Sequence, residues 1–317
     1  MPDLDVVAQI AEAVYHIQPR QIEALPPLFD WRGIYRIRDA QDRAWLLRLL
    51  RLDRGLDAFT QNARLLQWIE QQQHPAPRVC TTHDHHIIGV REGWTSLLLS
   101  YVEGSVFDFH SSDWEWLGRA LGALHALPLT GALPLPQSRC DPATLQDQTA
   151  QQLAQGYNHV PAAFQPLVAA LRSSLRPLAG YEQELRITHG DCWYKNAIKT
   201  DDGVVLIDWD CAGIGLPLLD VGYLLLTSHY DLTQPCRVVA DKGKIQAILY
   251  GYQAVQPIVR PEPALMASAV QFALAWGLGE YLETHASVDT DEGVLQKMQA
   301  RFDATAEIAQ IAMNYVA

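Results

Sequence analysis

The segment between residues 21 and 102 contains short apolar runs separated by turn residues, a pattern that predicts strands. Two hairpins are expected there, with turns at residues 39–42 and 91–93. Their strands are predicted at residues 32–38, 43–51, 87–90 and 94–102. Apolar residues at helical spacing predict helices over residues 3–17 and 56–72. The first third of the chain is therefore expected to be an antiparallel sheet with helices.

The pattern changes after residue 103, where apolar residues recur at helical rather than strand spacing. Helices are predicted at residues 114–127, 143–156, 161–178, 217–228, 242–255, 262–284 and 290–315. Residues 127–142 are rich in Pro, Leu and Gly and are expected to form a connecting loop. An α+β fold follows, with a sheet-containing first part and a helical second part.

Composition narrows the classes of function. The chain has 317 residues, of which 49% are hydrophobic, and a formal net charge of −12. That charge argues against general binding of nucleic acid, which relies on basic patches. The first residues lack the pattern of a signal peptide, and no apolar run reaches the length of a membrane span. The five cysteines are scattered and odd in number. A reduced, cytoplasmic protein without membrane contact is the expectation.

Chemistry is concentrated between residues 187 and 210. An apolar run leads into His189-Gly190-Asp191, a predicted hairpin follows with its turn at residues 199–203, and its second strand runs into Asp208. The hairpin is expected to bring Asp191, Asn196 and Asp208 together. Phosphoryl transfer needs one carboxylate to orient the attacking hydroxyl, and hard oxygen ligands for Mg²⁺. The spacing Asp-x-x-x-x-Asn is that of the protein-kinase catalytic loop.

The segment 187–223 resembles the aminoglycoside phosphotransferase and choline kinase family, which has a protein-kinase-like fold. The matching residues are His189, Gly190, Asp191, Asn196, Ile207, Asp208, Trp209, Asp210, Gly215, Pro217 and Asp220. The resemblance implies a mixed N-lobe at residues 1–102 and a helical C-lobe at residues 103–317. It also implies transfer of the γ-phosphoryl group of ATP, with Mg²⁺, to a hydroxyl or amine of a small molecule.

The resemblance assigns roles to residues of the second lobe. Asp191 would be the catalytic base, or would position the acceptor hydroxyl. Asn196 and Asp208 would be ligands of Mg²⁺. Asp210 lies two residues further on, and would either bind a second metal ion or support the first. Asp220 would brace the catalytic loop without taking part in the chemistry.

The residues expected to bind the nucleotide lie in or next to the first lobe. Arg48 lies in the middle of an apolar strand, where a charge needs a carboxylate, a phosphate or an edge open to solvent. The resemblance places it where a lysine binds the α- and β-phosphates; the alternative is an edge-strand arginine with its head in water. Tyr101 and Glu103 match the hinge that meets adenine, although an ordinary strand-to-helix turn has the same pattern.

Two departures from the family bear on activity. The helix position expected to carry a glutamate is Asn62, which could hydrogen-bond Arg48 without neutralising it. The phosphate-covering loop, residues 29–35, is bulky and begins with Phe29 and Asp30. Gly33 is its single glycine. The rival hypothesis is therefore a nucleotide-binding or interaction protein with little transferase activity.

Two further features have alternative explanations. The His-rich segment 82–86 resembles a metal-binding cluster, but no Cys or Glu supports it, so a solvated turn is expected. Aromatic and acidic residues could form a pocket for a cationic acceptor, or could simply pack at helical spacing. They are Trp114, Trp116, Trp276, Glu280, Tyr281 and Glu283. The acceptor remains open among aminoglycosides, choline and other amino alcohols, homoserine, sugars and protein Ser/Thr.

Overall fold

The computed structural model describes residues 2–26, 31–129, 135–178, 181, 184–284 and 291–316. These residues form two compact units. The sheet unit contains the residues up to 104 together with 135 and 136, and the helical unit contains the rest. The division of the chain into lobes at residue 102 stays a prediction. The described part of the chain contains no helix long and apolar enough to cross a membrane.

The sheet unit contains α1 (Leu4–Tyr15), β1 (Pro19–Ala24), β2 (Arg32–Asp39), β3 (Ala44–Arg51), α2 (Leu52–Gln71), β4 (Val79–Cys80), β5 (Gly89–Arg91) and β6 (Trp94–Ser100). Its strands are antiparallel in the order β1-β2-β3-β6-β4, and β5 also pairs with β6. Both predicted hairpins are confirmed. The strands β1 and β4 were not predicted separately.

The two faces of this sheet follow from the alternation of side chains along β3. Leu47 and Leu49 pack with α1 in one apolar core. Arg48 therefore points to the opposite face, where its guanidinium lies 5.1 Å from the ring centre of Phe59 on α2. One face of the sheet is thus covered by α1, and α2 packs against the other.

The helical unit begins with α3 (Ser111–His125), α4 (Pro142–Thr144), α5 (Ala150–Gly156) and α6 (Gln165–Ser174). The short strands β7 (Arg186–Thr188), β8 (Ala197–Thr200), β9 (Gly203–Leu206) and β10 (Gly213–Gly215) follow. The unit ends with α7 (Pro217–Thr227), α8 (Lys242–Gln253), α9 (Pro263–Thr284) and α10 (Glu292–Met313). The predicted helix over residues 143–156 is interrupted by a π-helical turn at Leu145–Thr149. The other predicted helices of this unit are present, with shifted ends.

Helix α7 is the centre of the helical unit, since each of its residues is buried. Close packing of α3 against α8 depends on glycine: a Cβ on Gly251 would lie 1.9 Å from the carbonyl oxygen of Glu115. The predicted β8–β9 hairpin is confirmed. Pairing of β7 with β10 was not predicted, and it brings the residues after Thr188 beside those before Gly213. The segments predicted to be catalytic and metal-binding are thereby placed next to each other.

Candidate active site

The catalytic segment leaves β7 through a turn that requires glycine. Gly190 has φ +74°, and a Cβ there would lie 2.2 Å from the carbonyl oxygen of Cys211. The segment then passes through a 3₁₀ turn, Tyr194–Asn196, into β8. Its end is fixed by the Ile207 N–H, which donates to the Asn196 carbonyl oxygen at 2.9 Å. The loop is therefore held at both ends by the two small sheets.

Asp220, in the first turn of α7, anchors the beginning of this loop. Its carboxylate is buried and accepts hydrogen bonds from the backbone N–H groups of His189 (2.6 Å) and Gly190 (3.1 Å). His125 Nε2 is 3.1 Å from the same carboxylate, and Tyr252 Oη is 2.7 Å from His125 Nδ1. Burial raises the pKa of Tyr252, so its phenol donates to Nδ1 and leaves Nε2–H to donate to Asp220.

His189 has a structural part in the same loop. Its ring is buried, and Nε2 lies 3.1 Å from the carbonyl oxygen of Ile207, at the end of the hairpin. Burial lowers the pKa of His189, against the charges of Asp220, Asp191 and Asp208. A neutral imidazole therefore donates from Nε2 and links the loop to the residue before Asp208.

The carboxylate of Asp191 is held from three directions. Asn196 Nδ2 donates to Oδ2 at 2.8 Å and to the Asp191 carbonyl oxygen at 3.0 Å. The Tyr223 hydroxyl, on α7, donates to Oδ1 in a short hydrogen bond, and Arg139 Nη1 is 3.3 Å from the same oxygen. Burial, together with the charge of Asp191, raises the pKa of Tyr223 well above its ordinary value. Tyr223 therefore stays a donor, and Asp191 stays an acceptor of fixed orientation.

Arg139 and Tyr223 were not singled out from the sequence. Arg139 lies in the segment expected to be a connecting loop, which has no periodicity to mark it. In the structure its N–H donates to the Cys211 carbonyl oxygen at 3.1 Å, and Gln137 bridges Ile214 of β10. These backbone pairings, which no local pattern reveals, carry the Arg139 side chain to Asp191.

Asp208 and Asp210 follow β9, as predicted. Asp208 has a left-handed backbone (φ 61°), and the chain continues into a 3₁₀ turn, Trp209–Cys211, in which Trp209 is buried. Burial raises the pKa of the Cys211 thiol to about 12, and the charges of Asp191, Asp210 and Asp208 contribute to the rise. The Cys211 thiol therefore lies close enough to all three carboxylates to feel their charges, so the three carboxylates surround the same turn.

The side-chain oxygens of Asn196 and Asp208 are the candidate ligands for a magnesium ion. Because Asn196 Nδ2 donates twice to Asp191, the amide oxygen of Asn196 is turned away from that residue. The described residues contain no group of three or more His, Cys, Asp or Glu side chains able to hold a metal ion by themselves. Asn196 and Asp208 would each offer an oxygen to Mg²⁺, and phosphate and water would supply the rest of its ligands.

In the sheet unit, the structure excludes the edge-strand alternative for Arg48. Strand β3 lies between β2 and β6, and Arg48 is 5% exposed. The suggested hydrogen bond between Asn62 and Arg48 is also absent: Asn62 is buried, and neither its Nδ2 nor its Oδ1 has a hydrogen-bond partner among the described residues. Arg48 is thus a buried cation on an inner strand, without help from the amide that replaces the expected glutamate.

The predicted hinge residues, and Gly33 of the predicted phosphate loop, contact residues of the sheet unit. The Glu103 carboxylate accepts from Arg36 (3.1 Å) and Arg38 (2.9 Å), and the Arg36 guanidinium lies over the ring of Tyr101. Gly33 is inside β2 and not in a loop, and a Cβ there would meet the Tyr35 ring at 2.5 Å. The glycine therefore makes room for a core tyrosine. Phe29 and Asp30 lie outside the described residues.

The suggested pocket for a cationic acceptor is not supported at two of its residues. The guanidinium of Arg139 lies 3.4 Å from the ring centre of Trp276, so a cation of the protein itself already occupies one face of that ring. Glu283 accepts a hydrogen bond from Gln152 at 2.6 Å. In the His-rich segment, His83 stacks on His16 at 4.6 Å, and the described residues form no metal cluster there.

Comparison with known proteins identifies the class to which this fold and site belong. A sequence model of the APH phosphotransferase enzyme family matches residues 27–258. The chain belongs to the APH phosphotransferase enzyme family. None of the curated proteins compared with the chain matches it by sequence.

Solved structures agree in fold. An amicoumacin kinase in complex with AMP-PNP, Ca²⁺ and Ami has a TM-score of 0.72 at 16% identity, over 98% of this chain and 94% of that one. A spectinomycin phosphotransferase in complex with ADP and spectinomycin has a TM-score of 0.68 at 12% identity, over 98% of both chains. Choline kinase from Cryptosporidium parvum Iowa II has a TM-score of 0.64 at 13% identity, over 97% and 96%. At such identities the likeness establishes the kinase-like fold.

Proposed function

We propose that this chain transfers the γ-phosphoryl group of ATP to a hydroxyl group of a small molecule, in a reaction that needs Mg²⁺. The observation that carries the proposal is the Asp191 carboxylate, fixed by Asn196, Tyr223 and Arg139 in the loop that also neighbours Asp208. A carboxylate held in this way can orient an attacking hydroxyl and accept its proton. An alcohol is the better acceptor for such a base, because its proton must leave as the bond to phosphorus forms.

The other residues have separate parts in this proposal. Asn196 and Asp208 would hold Mg²⁺, which neutralises phosphate charge when it is bound, and Asp210 would support that site. Arg48 would bind phosphate oxygens of ATP, since a buried guanidinium matches them in charge and geometry. Tyr101 and Glu103 would lie at the adenine side, and Gly33 in the strand that leads from the phosphate-covering loop.

Substitution of Asp191 tests the catalytic role. In Asp191→Asn, phosphoryl transfer should fall by about 10²–10⁴-fold, because the base is lost, while affinity for Mg-ATP stays within about twofold. Asp201→Asn, in the exposed β8–β9 turn, is the matched control. Asp208→Asn should instead weaken binding of Mg-ATP. Wild-type transfer by Asp191→Asn would contradict the assignment.

Calorimetric titration separates this function from the rival, a nucleotide-binding or interaction protein. ATP is titrated into the protein with and without Mg²⁺, and turnover is then followed with hydroxyl acceptors of each class. The panel consists of an aminoglycoside, choline, homoserine, a sugar and a Ser/Thr peptide. Magnesium-dependent binding followed by acceptor-stimulated turnover supports the kinase. Tight binding of ATP without turnover across the panel favours the nucleotide-binding or interaction protein. That alternative is worth testing because Asn62 stands where the family resemblance led us to expect a glutamate.

A further inference from the structure

The two oxygens of the Asp191 carboxylate have different numbers of hydrogen-bond donors. Oδ1 accepts from the Tyr223 hydroxyl and from Arg139 Nη1, which together use both of its lone pairs. Among the described residues, Oδ2 accepts a hydrogen bond from Asn196 Nδ2 alone. An acceptor hydroxyl can therefore donate to Oδ2 without displacing a protein donor, whereas at Oδ1 it would have to displace Tyr223 or Arg139.

Arg139 is built into the core rather than placed at the surface. Its side chain is 10% exposed, and its guanidinium lies 3.4 Å from the ring centre of Trp276 on α9. Burying a guanidinium is costly unless the site supplies partners, and here the aromatic face and a carboxylate do so.

The remaining contacts of Arg139 connect the same neighbourhood. Nη1 is 3.2 Å from the Gly190 carbonyl oxygen, and Nη2 is 2.6 Å from Cys211 Sγ. One side chain thus contacts the residue before Asp191 and the turn that follows Asp208. Loss of the Arg139 guanidinium would remove one of the two donors to Asp191 Oδ1 and the side-chain contact with Cys211 Sγ.

We propose that Arg139, held on the face of Trp276, is a positioning residue for Asp191. With Tyr223 it occupies Oδ1, and it thereby presents Oδ2 to the acceptor hydroxyl. The assignment of Oδ2 to the acceptor rests on the proposed kinase function, whereas the fixed orientation of the carboxylate does not.

Crystal structures of wild type, Arg139→Met and Arg139→Lys test the orientation without reference to activity. Arg139→Met keeps an apolar stem against Trp276 and removes the donors. Its Asp191 carboxylate should rotate away from the wild-type position, and Arg139→Lys should restore that position at least in part. An unchanged carboxylate in Arg139→Met overturns the proposal. Tyr223→Phe removes the other donor to Oδ1 and gives an independent test if Arg139→Met does not fold.

Kinetics test the consequence for the reaction, with ATP hydrolysis as the assay so that the natural acceptor is not needed. Arg139→Met should lower kcat by about 10–100-fold and leave KM for ATP within about twofold, as expected for a misplaced catalytic group. Arg139→Lys should recover part of the lost kcat, because an ammonium group can also donate to Asp191. Arg119→Met, at an exposed position on α3, is the control and should match wild type.

The crystal structures and the kinetic assay together distinguish failure of the positioning role from failure of the kinase function. If wild type neither hydrolyses ATP nor transfers phosphate, the kinase function fails, and the crystal structures still decide whether Arg139 orients Asp191. If wild type is active and Arg139→Met keeps the wild-type kcat, the positioning role is wrong. An equal loss of kcat in Arg139→Met and Arg139→Lys points to a merely structural role and also overturns the proposal.

Discussion

Asp220 in the helical unit and Asn62 in the sheet unit are both buried polar side chains on helices, but their surroundings differ. Asp220 accepts two backbone N–H groups and is contacted by His125, so its carboxylate is satisfied. Asn62 has no hydrogen-bond partner for either polar atom. The helical unit therefore holds its predicted catalytic loop through a buried carboxylate that has its hydrogen-bond partners, whereas the sheet unit has an amide where the family resemblance led us to expect a carboxylate.

The contrast between Asp220 and Asn62 matches two different tasks of the two units, orientation of Asp191 and binding of nucleotide phosphate. Orientation of Asp191 depends on residues of the helical unit alone, since Arg139, Asn196 and Tyr223 all belong to it. Binding of nucleotide phosphate is the task proposed for Arg48 of the sheet unit. The network around Asp191 is therefore expected to tolerate substitution poorly, and the position of Asn62 to tolerate it well.

The largest effect is expected from breaking the Asp220 network. Asp220→Ala leaves two buried N–H groups and His125 without their acceptor, which should lower the free energy of unfolding by about 3 kcal/mol. Urea unfolding at pH 7 measures the change. Asp202→Ala, in the exposed β8–β9 turn, should change it by less than about 0.5 kcal/mol. A loss below about 1 kcal/mol for Asp220→Ala would show that the anchor is dispensable.

Arg48→Met tests the task assigned to the sheet unit. The dissociation constant for Mg-ATP should rise by about 10–100-fold, because charge-assisted hydrogen bonds to phosphate are lost. Calorimetric titration measures it. Arg51→Met is the control on the same strand: the Arg51 side chain is 58% exposed. Equal affinity of wild type and Arg48→Met would remove Arg48 from the nucleotide site.

His229, a further buried polar side chain of the helical unit, gives a pH test of burial in that unit. Its Nδ1 is 2.7 Å from the Leu225 carbonyl oxygen, and Nε2 accepts from the Asp241 N–H at 3.0 Å. Burial lowers the pKa of His229 to about 4 from an ordinary value of 6.5. The unfolded chain therefore binds a proton below pH 6.5 that the folded protein does not bind until about pH 4, so stability falls as the pH falls through this window.

Between pH 7 and pH 5 this residue should account for a loss of about 2 kcal/mol in the free energy of unfolding. The measurement is the difference between wild type and His229→Gln in urea unfolding at the two pH values. The variant lacks the titrating group, so its stability should depend less steeply on pH. Parallel pH dependence in the two proteins would rule out a buried neutral His229.

Substitution of Asn62 is expected to change the free energy of unfolding least, and to raise it where substitution of Asp220 lowers it. Asn62→Leu removes two buried polar atoms that have no partner, so the free energy of unfolding should stay level or rise by about 1 kcal/mol. Gln61→Leu, at an exposed position of the same helix, should be close to neutral. If Asn62→Leu instead costs more than about 1 kcal/mol, Asn62 has a polar partner in solution, and the contrast with Asp220 disappears.

Local patterns in the sequence predicted the elements that carry the chemistry. Asp191 and Asn196 are five residues apart, and their contact lies within one loop. The two N-terminal hairpins and the β8–β9 hairpin follow from short apolar strands around polar turns. Bracing of the loop by Asp220 was expected from the family resemblance, and its bonds to His189 and Gly190 confirm it.

Pairing between distant segments was decided only by the tertiary structure. Arg139 and Asp191 are 52 residues apart, and His125 and Asp220 are 95 apart. Neither arginine nor histidine at such a position differs locally from an ordinary loop or helix residue. The inner position of β3, which buries Arg48, likewise depends on the order of strands in the sheet. The sequence determined which groups can do the chemistry, and long-range packing, which local periodicity does not encode, determined which side chains hold them in place.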